Sequence, residues 1–430
     1  MAVDLLNPLA AGQTADPPVP QDKRDRDGTP RRSRGQRDGQ PALRIGFRSS
    51  GERRTVLDWL EAGLRPGRPG RLTSEYPFLL DESGPARHFT LFAGGLPAAH
   101  CVLLPRRIAL LEGVLPVGFL SLVYTDPTAR GRGHAGRVLR AAIRFARESG
   151  IGLVLLWSEA DALYAREGFE PAGRETLLVL DEAILERALD ELKTRSVDAA
   201  RRPHTDRVLA IDRARPEDWK AIEAIRSRRA ARVVCDASER ARWPLLPDLD
   251  VRVARSADGC LRGFALRGRG DDLREVIHEW GGELEATLLC CRALVADEGF
   301  GQSLMLLAPA VQTELAWICR RAGARVLSRP LAWMRITSAP ALAEALVGLG
   351  LDADWRELRA LEEDGPSASR FWLSRSGQRA VRQGELLELL FGAPDVRDQG
   401  EGRDALGAAV GSGPMKGLPL PLFVWGLESI

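Results

Sequence analysis

Between two apolar stretches lies a run that admits few folds: Asp126-Pro127-Thr128-Ala129-Arg130-Gly131-Arg132-Gly133-His134-Ala135-Gly136. The stretch before it, Val117 to Thr125, is short and β-branched enough for a buried strand. Pro127 ends that strand, because proline donates nothing to a ladder and restricts the residue ahead of it. After the run, Val138, Leu139, Ala142, Ile143 and Ala146 recur at helical spacing, and Gly150 stops the helix. Leu153 to Trp157 follows as a second strand, then a short helix carrying Tyr164 and closed by Gly168-Phe169. A glycine-rich turn at a helix N-terminus, between two parallel strands, is a place to hold phosphates.

The rest of the chain limits what can surround this unit. At 430 residues it is too long for one core, so two to four domains are expected. A net charge of +2 gives no electrostatic reason to expect nucleic acid or a membrane surface as partner. The six cysteines show no paired spacing and the histidines are scattered, which favours reduced core thiols and no metal. Residues 1–42 are polar and rich in Pro, Gly, Arg and Asp, with arginines nearly matched by aspartates. They read as a disordered tail and lack the apolar core of a secretory signal. No apolar run reaches the roughly 20 residues of a membrane span, and a cytoplasmic location is expected.

Read in order, Leu43 to Phe47 predicts a strand and Ser50 to Leu64 a helix, followed by a Pro/Gly/Arg-rich loop from Arg65 to Arg71. His88 to Ala93 and Ala98 to Leu104 pair as a hairpin about Gly94-Gly95, and Ile108 to Leu111 adds a short strand. Thr176 to Leu180 is expected as the last strand of this first sheet. Antiparallel strands with one parallel crossover make an α+β unit rather than a repeated βαβ sheet. Leu185 to Ala200 predicts a helix, and a boundary is expected near residue 205.

From Ala210 the order repeats: a strand, a helix from Pro216 to Arg229, a hairpin (Val251 to Ala254 with Leu261 to Arg267) and a strand from Arg274 to Trp280. A helix (Leu284 to Val295), a strand (Ser303 to Leu307), a helix (Glu314 to Ala322) and a strand (Leu331 to Ile336) complete it. The repeat is one of architecture and not of motif. Gly281-Gly282-Glu283 stands where the first unit has its glycine turn, and Cys319 stands ahead of Gly323 as Tyr164 stands ahead of Gly168. The second unit is therefore expected to lack the ligand. The expected domains are 43–205, 206–337 and a smaller region, 338–430, with helices at Pro340 to Leu349 and Gly384 to Phe391, a strand at Phe371 to Leu373, and a loose excursion at Gln399 to Gly413. A tail ending Phe423-Val424-Trp425 is too apolar to be bare and is expected to dock.

Gly131-x-Gly133-x-x-Gly136 also fits the dinucleotide fingerprint, with Glu159 near the place of its ribose-binding acid. That fingerprint should follow its strand directly and open the fold, whereas here Asp126 to Arg130 intervene and several strands come first. The same residues fit Arg-x-x-Gly-x-Ala (Arg130, Gly133, Ala135), preceded by a strand and Asp-Pro and followed by a strand and Tyr-x-x-x-Gly-Phe. In this the chain resembles the GNAT N-acetyltransferases, over about residues 110 to 180. Two such units in tandem, the second degenerate, with a smaller C-terminal region, look like the enhanced intracellular survival family of acetyltransferases. Ser158-Glu159 ahead of Tyr164 is similar to that family's segment, and Leu331 to Leu342 to its passage into a sterol-carrier-like third domain.

The resemblance implies acetyl-CoA as co-substrate, a primary amine as acceptor, and a homo-oligomer. Its pyrophosphate would lie on the amides of Gly131, Arg132, Gly133, His134, Ala135 and Gly136, with charge from Arg130 and Arg132. Val123, Tyr124 and Thr125 would hold the acetyl and pantetheine part, completed by Ser158 and Glu159. Tyr164 would be the general acid. The strand 117–125 carries no carboxylate to act as base, and it is the subfamily resemblance that implies the terminal carboxylate of Ile430 in that role. Two other readings of the same residues remain: a non-catalytic acetyl-CoA-binding or scaffold protein, and an aminoacyl or long-chain acyltransferase.

Overall fold

The computed structural model describes residues 41–198, 209–297, 302–309, 313–361, 370–373, 379–392 and 418–429. Residues 1–40 of the predicted N-terminal tail, the 205 boundary, the 399–413 excursion and Ile430 lie outside those residues, while Ala42, expected in the tail, already belongs to the first strand. The first unit opens with β1 (Ala42–Ile45) and α1 (Ser50–Leu64), the latter capped by Ser49, whose side chain accepts from the Glu52 amide at 3.2 Å. Two short helices that the residue pattern does not separate follow, α2 (Arg71–Glu75) and α3 (Pro77–Leu80). Then come β2 (Arg87–Ala93), β3 (Leu96–Leu110) and β4 (Gly113–Thr125). β3 is one strand where a strand of the hairpin and a separate short one were expected; Pro105 is tolerated within its paired register with β4. A 3₁₀ turn (Pro127–Ala129) leads to α4 (His134–Glu148), β5 (Leu153–Leu156), α5 (Asp161–Arg166) and β6 (Glu170–Ala172).

The chain then changes sheets. β7 (Glu175–Leu180) is the expected strand, but it does not close the first sheet: Gly173 (φ 66°) turns it away, and it pairs inside the second. After α6 (Glu182–Asp198), the second unit comprises β8 (Ala210–Arg213), a 3₁₀ turn (Pro216–Asp218), α7 (Trp219–Arg226), β9 (Ala231–Val233) and α8 (Ala237–Arg242). It continues with β10 (Asp250–Arg255), β11 (Leu261–Arg267), β12 (Val276–Gly282), α9 (Leu284–Ala296) and β13 (Leu304–Pro309). α10 (Glu314–Arg321), β14 (Arg325–Arg329) and β15 (Ala332–Ile336) end it.

Strand exchange joins the two units. The first sheet runs β1-β2-β3-β4-β5-β15-β6, with β9 against β3; the second runs β14-β7-β13-β12-β11-β10-β8. Each unit thus lends the other a strand, β7 outward and β15 inward, and β9 extends the first sheet from the second unit. Both exchanged strands are mostly apolar (Leu177 to Leu180 in β7; Ala332, Trp333, Met334 and Ile336 in β15), so the pattern marks them as strands without saying whose ladder they complete. The fold is α+β, two mixed sheets built on one plan.

The third region packs on the first sheet. α11 (Ala339–Gly348) passes so close to β5's entry that a side chain at Gly152 would meet the Leu342 backbone at 2.6 Å. β16 (Arg359–Ala360), β17 (Arg370–Leu373) and β18 (Arg379–Arg382) form a small antiparallel sheet, followed by α12 (Gln383–Phe391). The tail docks as its composition predicts: Leu420, Phe423, Val424, Trp425 and Leu427 are buried.

Candidate active site

The parallel strands β4 and β5 pair only from Val117 with Leu153 to Phe119 with Leu155. Beyond that, a bulge re-aims β4: Val102 faces Ser121 and His100 faces Tyr124, so Cys101 alone opposes both Leu122 and Val123. Leu122 sits at φ 49°, where leucine is strained, so the surrounding ladder imposes the kink. Past the bulge, β4 stays bonded to β3 through Tyr124 and Thr125, while no strand among the described residues pairs with its other edge. The amides of Val123 to Thr125 therefore border an open wedge between splayed strands.

The glycine run lies at the wide end of that wedge. Asp126 accepts from the Thr128 amide at 2.9 Å and from Trp59 Nε1 at 3.1 Å, which pins the start of the loop to α1. Gly131 (φ 74°) and Gly133 (φ 72°) adopt the left-handed conformation, and nothing lies within 4 Å of where a Cβ would stand on either. Gly133 is the N-cap of α4 and supplies no side chain to its free amides. His134 is buried, with Nδ1 lacking any partner, and burial together with Arg137 and Arg132 lowers its pKa. Exposed, uncapped amides, a positive helix end and an unpaired ring nitrogen fit an anion such as a pyrophosphate. Arg130 and Arg132 are exposed beside it. Gly136 matters for packing instead. A Cβ there would meet Glu167 Oε1 at 2.5 Å, so its absence lets α4 pack on the end of α5.

Tyr164 stands on α5, buried among residues of the α4-side face of the sheet. Burial pushes its phenol up to about 12, against a hydrogen bond from Ser158 that lowers it, and the nearby Cys101 thiol raises it further. Cys101, the residue opposite the bulge, belongs to the same apolar cluster as Tyr164. Three groups hold α5 in place. Glu167 pairs with Arg140 at 2.7 Å, Arg335 of β15 donates to the Glu167 carbonyl, and Gln383 Nε2 donates to the Gly168 carbonyl at 2.8 Å. The exchanged strand and the third region thus both brace the helix that carries the phenol. Ser158 accepts from the Ala160 amide at 3.0 Å, and Glu159 is exposed on the same turn.

The opposite face of the sheet belongs to α1, α2, α3 and the chain terminus. Tyr124 lies 4.9 Å from Trp59, ring to ring, and α1 passes it at Gly63, where any side chain would collide with the phenol. Phe119, Leu122, Tyr76, Phe423 and Trp425 belong to one apolar cluster on this side. The Arg65–Arg71 stretch, which from its composition could be a plain connector or frame a substrate, carries arginines that pair with the second unit. Arg65 pairs with Glu75 at 2.7 Å and Asp272 at 3.1 Å, and Arg68 and Arg71 pair with Asp271 and Asp248.

The second unit keeps the bulge and loses the opening. Leu266 faces Glu279 and Arg267 faces Ile277, leaving His278 as the extra residue, and β12 pairs with β13 only at Val276 and Ile277. Here, however, Trp280 Nε1 donates to the Leu307 carbonyl of β13 at 2.9 Å, placing an indole across the divergence. Between β12 and α9 stands only Glu283, whose carboxylate lies 3.5 Å from Arg262. A fixed negative charge at that helix start opposes an anionic ligand. Cys319 is a buried thiol.

Residues 71–172 match the family model of the acetyltransferase (GNAT) domain, and the chain carries that domain as its first unit. Solved structures extend the likeness of fold over most of the chain. A GCN5-related N-acetyltransferase from Anabaena variabilis ATCC 29413 is 13% identical, with 81% of this chain and 90% of that chain covered at a TM-score of 0.54. For one from Kribbella flavida the values are 16% identity, coverage of 80% and 82%, and a TM-score of 0.51. A probable N-acyltransferase from Enterococcus faecalis V583 is 14% identical, with coverage of 71% and 75% and a TM-score of 0.52. At such identities the likeness is one of fold. No curated protein matches the chain.

Proposed function

We propose that the protein is an acetyl-CoA-dependent N-acetyltransferase that passes an acetyl group to a primary amine by direct attack on the thioester. The observation that carries the reading is an uncapped, left-handed glycine loop opening α4 beside the splayed β4–β5 pair, with a buried phenol on the α4-side face of the same sheet. Pyrophosphate would rest on the amides of Gly131 to Gly136 with Arg130 and Arg132 adding charge, and pantetheine along Val123 to Thr125, with Ser158 and Glu159 completing the site.

The neutral amine attacks the thioester carbon, and the oxyanion that forms takes hydrogen bonds from the β4 amides near Val123 and Tyr124. When the intermediate collapses the C–S bond breaks and Tyr164 gives its proton to the thiolate. The proton shed by the amine goes to the terminal carboxylate of Ile430. In support, the tail that leads to it is docked: Phe423 and Trp425 share one apolar cluster with Phe119 and Leu122 of β4. Incubating the protein with acetyl-CoA and a panel of primary amines, and following thiol release, tests the proposal. Amine-dependent release that is lost in Tyr164→Phe, with acetyl-CoA still bound, is expected. Tight binding without turnover across the panel would return the reading to a non-catalytic binder, and longer acyl-CoAs in the same assay test the acyl chain.

A further inference from the structure

The outer face of α4 is built from arginines. Between Asp126 and Glu148 stand six of them and no acid, although the whole chain carries a net charge of only +2. Arg130 and Arg132 flank the glycine loop, and Arg137, Arg140, Arg144 and Arg147 recur three and four residues apart along the helix, all exposed. Arg140 pairs with Glu167 at 2.7 Å, whereas Arg137 donates to the Pro41 carbonyl at 3.0 Å, a contact that leaves its charge in place. Arg144 has no partner among the described residues. Like charges at this spacing destabilise a helix, so the stripe works against the fold and calls for a use outside it.

The second unit shows what the fold itself asks for at the same place. Its α9 stands where the first unit has α4, and Leu185, Ala188 and Leu189 of α6 join Leu288, Cys291 and Leu294 of α9 in one apolar cluster. On α9 only Glu285 and Ala296 are fully exposed. A helix of the same chain thus covers α9, while nothing among the described residues covers the cationic face of α4. An acidic helix of another protein is the complement that face fits.

The stripe begins at the donor site and runs away from it. Arg144 lies about 16 Å along the axis from the Gly133 cap, at about 1.5 Å per residue. The nucleotide of free coenzyme A hangs from the diphosphate at the loop, where Arg130 and Arg132 serve it, and gives no reason for charges so much further on. A carrier protein presents the same pantetheine arm, joined by one phosphate to a serine, on a negatively charged helical surface. With that phosphate on the loop amides, the body of the carrier would lie over α4. A nucleic acid would meet the same charges, but Phe145, the aromatic of α4, is half-buried against Phe89 at 5.9 Å, so a base has no ring to stack on.

We propose that the outer face of α4 docks an acidic acyl carrier protein, which delivers the acetyl group to the wedge on its own phosphopantetheine arm. The inference rests on the reading of the wedge as an acetyl-thioester site and names what carries the donor there. The chemistry is unchanged. The C–N bond to the amine forms, the C–S bond of the arm breaks, Tyr164 protonates the arm's thiolate, and the amine gives its proton to the same base as with acetyl-CoA.

To test it, the full-length protein is given the primary amine that turns over fastest in the panel, with one of two donors. These are acetyl-CoA and a small acidic bacterial acyl carrier protein loaded with acetyl-phosphopantetheine. Expected is a kcat/KM for the loaded carrier at or above that for acetyl-CoA at low salt, falling as salt rises. Arg144→Glu should lower the carrier value about tenfold or more and Arg144→Gln less, with both variants keeping acetyl-CoA within twofold. Turnover of acetyl-CoA alone overturns the docking and leaves the acetyltransferase reading standing, as does a carrier value that ignores Arg144→Glu. Equal losses with both donors assign Arg144 to the coenzyme and also overturn it. Turnover with neither donor removes the acetyltransferase reading and the docking with it. If the carrier is refused and a duplex oligonucleotide inhibits the wild type but not Arg144→Glu, the stripe belongs to nucleic acid and the inference falls.

Discussion

The two units carry the same sheet plan and the same bulge, yet only one of them keeps a wedge open. In the first, Asp126 to Gly133 separate β4 from α4, so the loop has length enough to expose its amides. In the second, Glu283 alone joins β12 to α9, and Trp280 bridges to β13. A mixed sheet needs only paired, apolar strands, which both units have; a phosphate site needs in addition a loop that contributes nothing to the core. The loop can therefore be lost without the fold. What the second unit retains is a bulge whose outer face now receives the chain terminus, where Gly426 passes His278.

That contrast can be broken at several points. The largest effect is expected at the phenol: Tyr164→Phe should lower kcat by about 10²–10³ with acetyl-CoA affinity within twofold, in the range a lost general acid gives. Cys319→Ala, the counterpart in the second unit, should leave kcat unchanged; comparable losses in the two variants would erase the distinction between the units.

Next comes the loop. Gly133→Val asks a β-branched residue to adopt φ 72° and should raise the Kd for acetyl-CoA by about tenfold or more. Glu283→Gln should not alter it, and calorimetric titration of both variants decides the matter.

Trp280→Ala removes a half-buried indole and its hydrogen bond, and should cost on the order of 2–3 kcal/mol by urea denaturation, somewhat below a fully buried aromatic. It should not create a second cofactor site, because the loop is still missing.

The smallest effect concerns pH. Burial raises the Tyr164 pKa to about 12, so the phenol stays protonated as pH rises and kcat should hold on the alkaline side to about pH 10. Ser158→Ala removes the hydrogen bond that lowers this pKa and should extend the plateau upward. An alkaline limb below pH 10 that does not move with Ser158→Ala would contradict the assignment.

Much of this is legible in the residues, and the failures have physical causes. The Asp-Pro stop, the glycines and the helical spacing of Val138 to Ala146 are local signals, and the strand–loop–helix–strand unit stands where they put it. The strand identity of Thr176 to Leu180 is equally local, but its ladder is not: only three-dimensional packing shows that β7 joins the second sheet and β15 the first. The same limit hides the arginine clamp. Arg65, Arg68 and Arg71 look like solvated loop charges, and their partners Asp248, Asp271 and Asp272 lie far off in sequence. Trp59, Cys101, Gln383 and Arg335, which position the loop and the phenol, carry no motif at all. Nor does hydrophobic pattern mark the bulge, because Leu122 and Val123 read as ordinary strand residues. The apolar ending does announce a docked terminus, though not that a buried charge network, Arg226 with Glu279 and Glu428, holds it.

Where acetyl-CoA binds, and how many times, separates the two units most directly. Equilibrium titration of the full-length protein should give one molecule per chain, with binding weakened by Gly133→Val and untouched by Glu283→Gln. Two molecules per chain, or a single site that ignores Gly133→Val, would contradict the division between an open unit and a closed one.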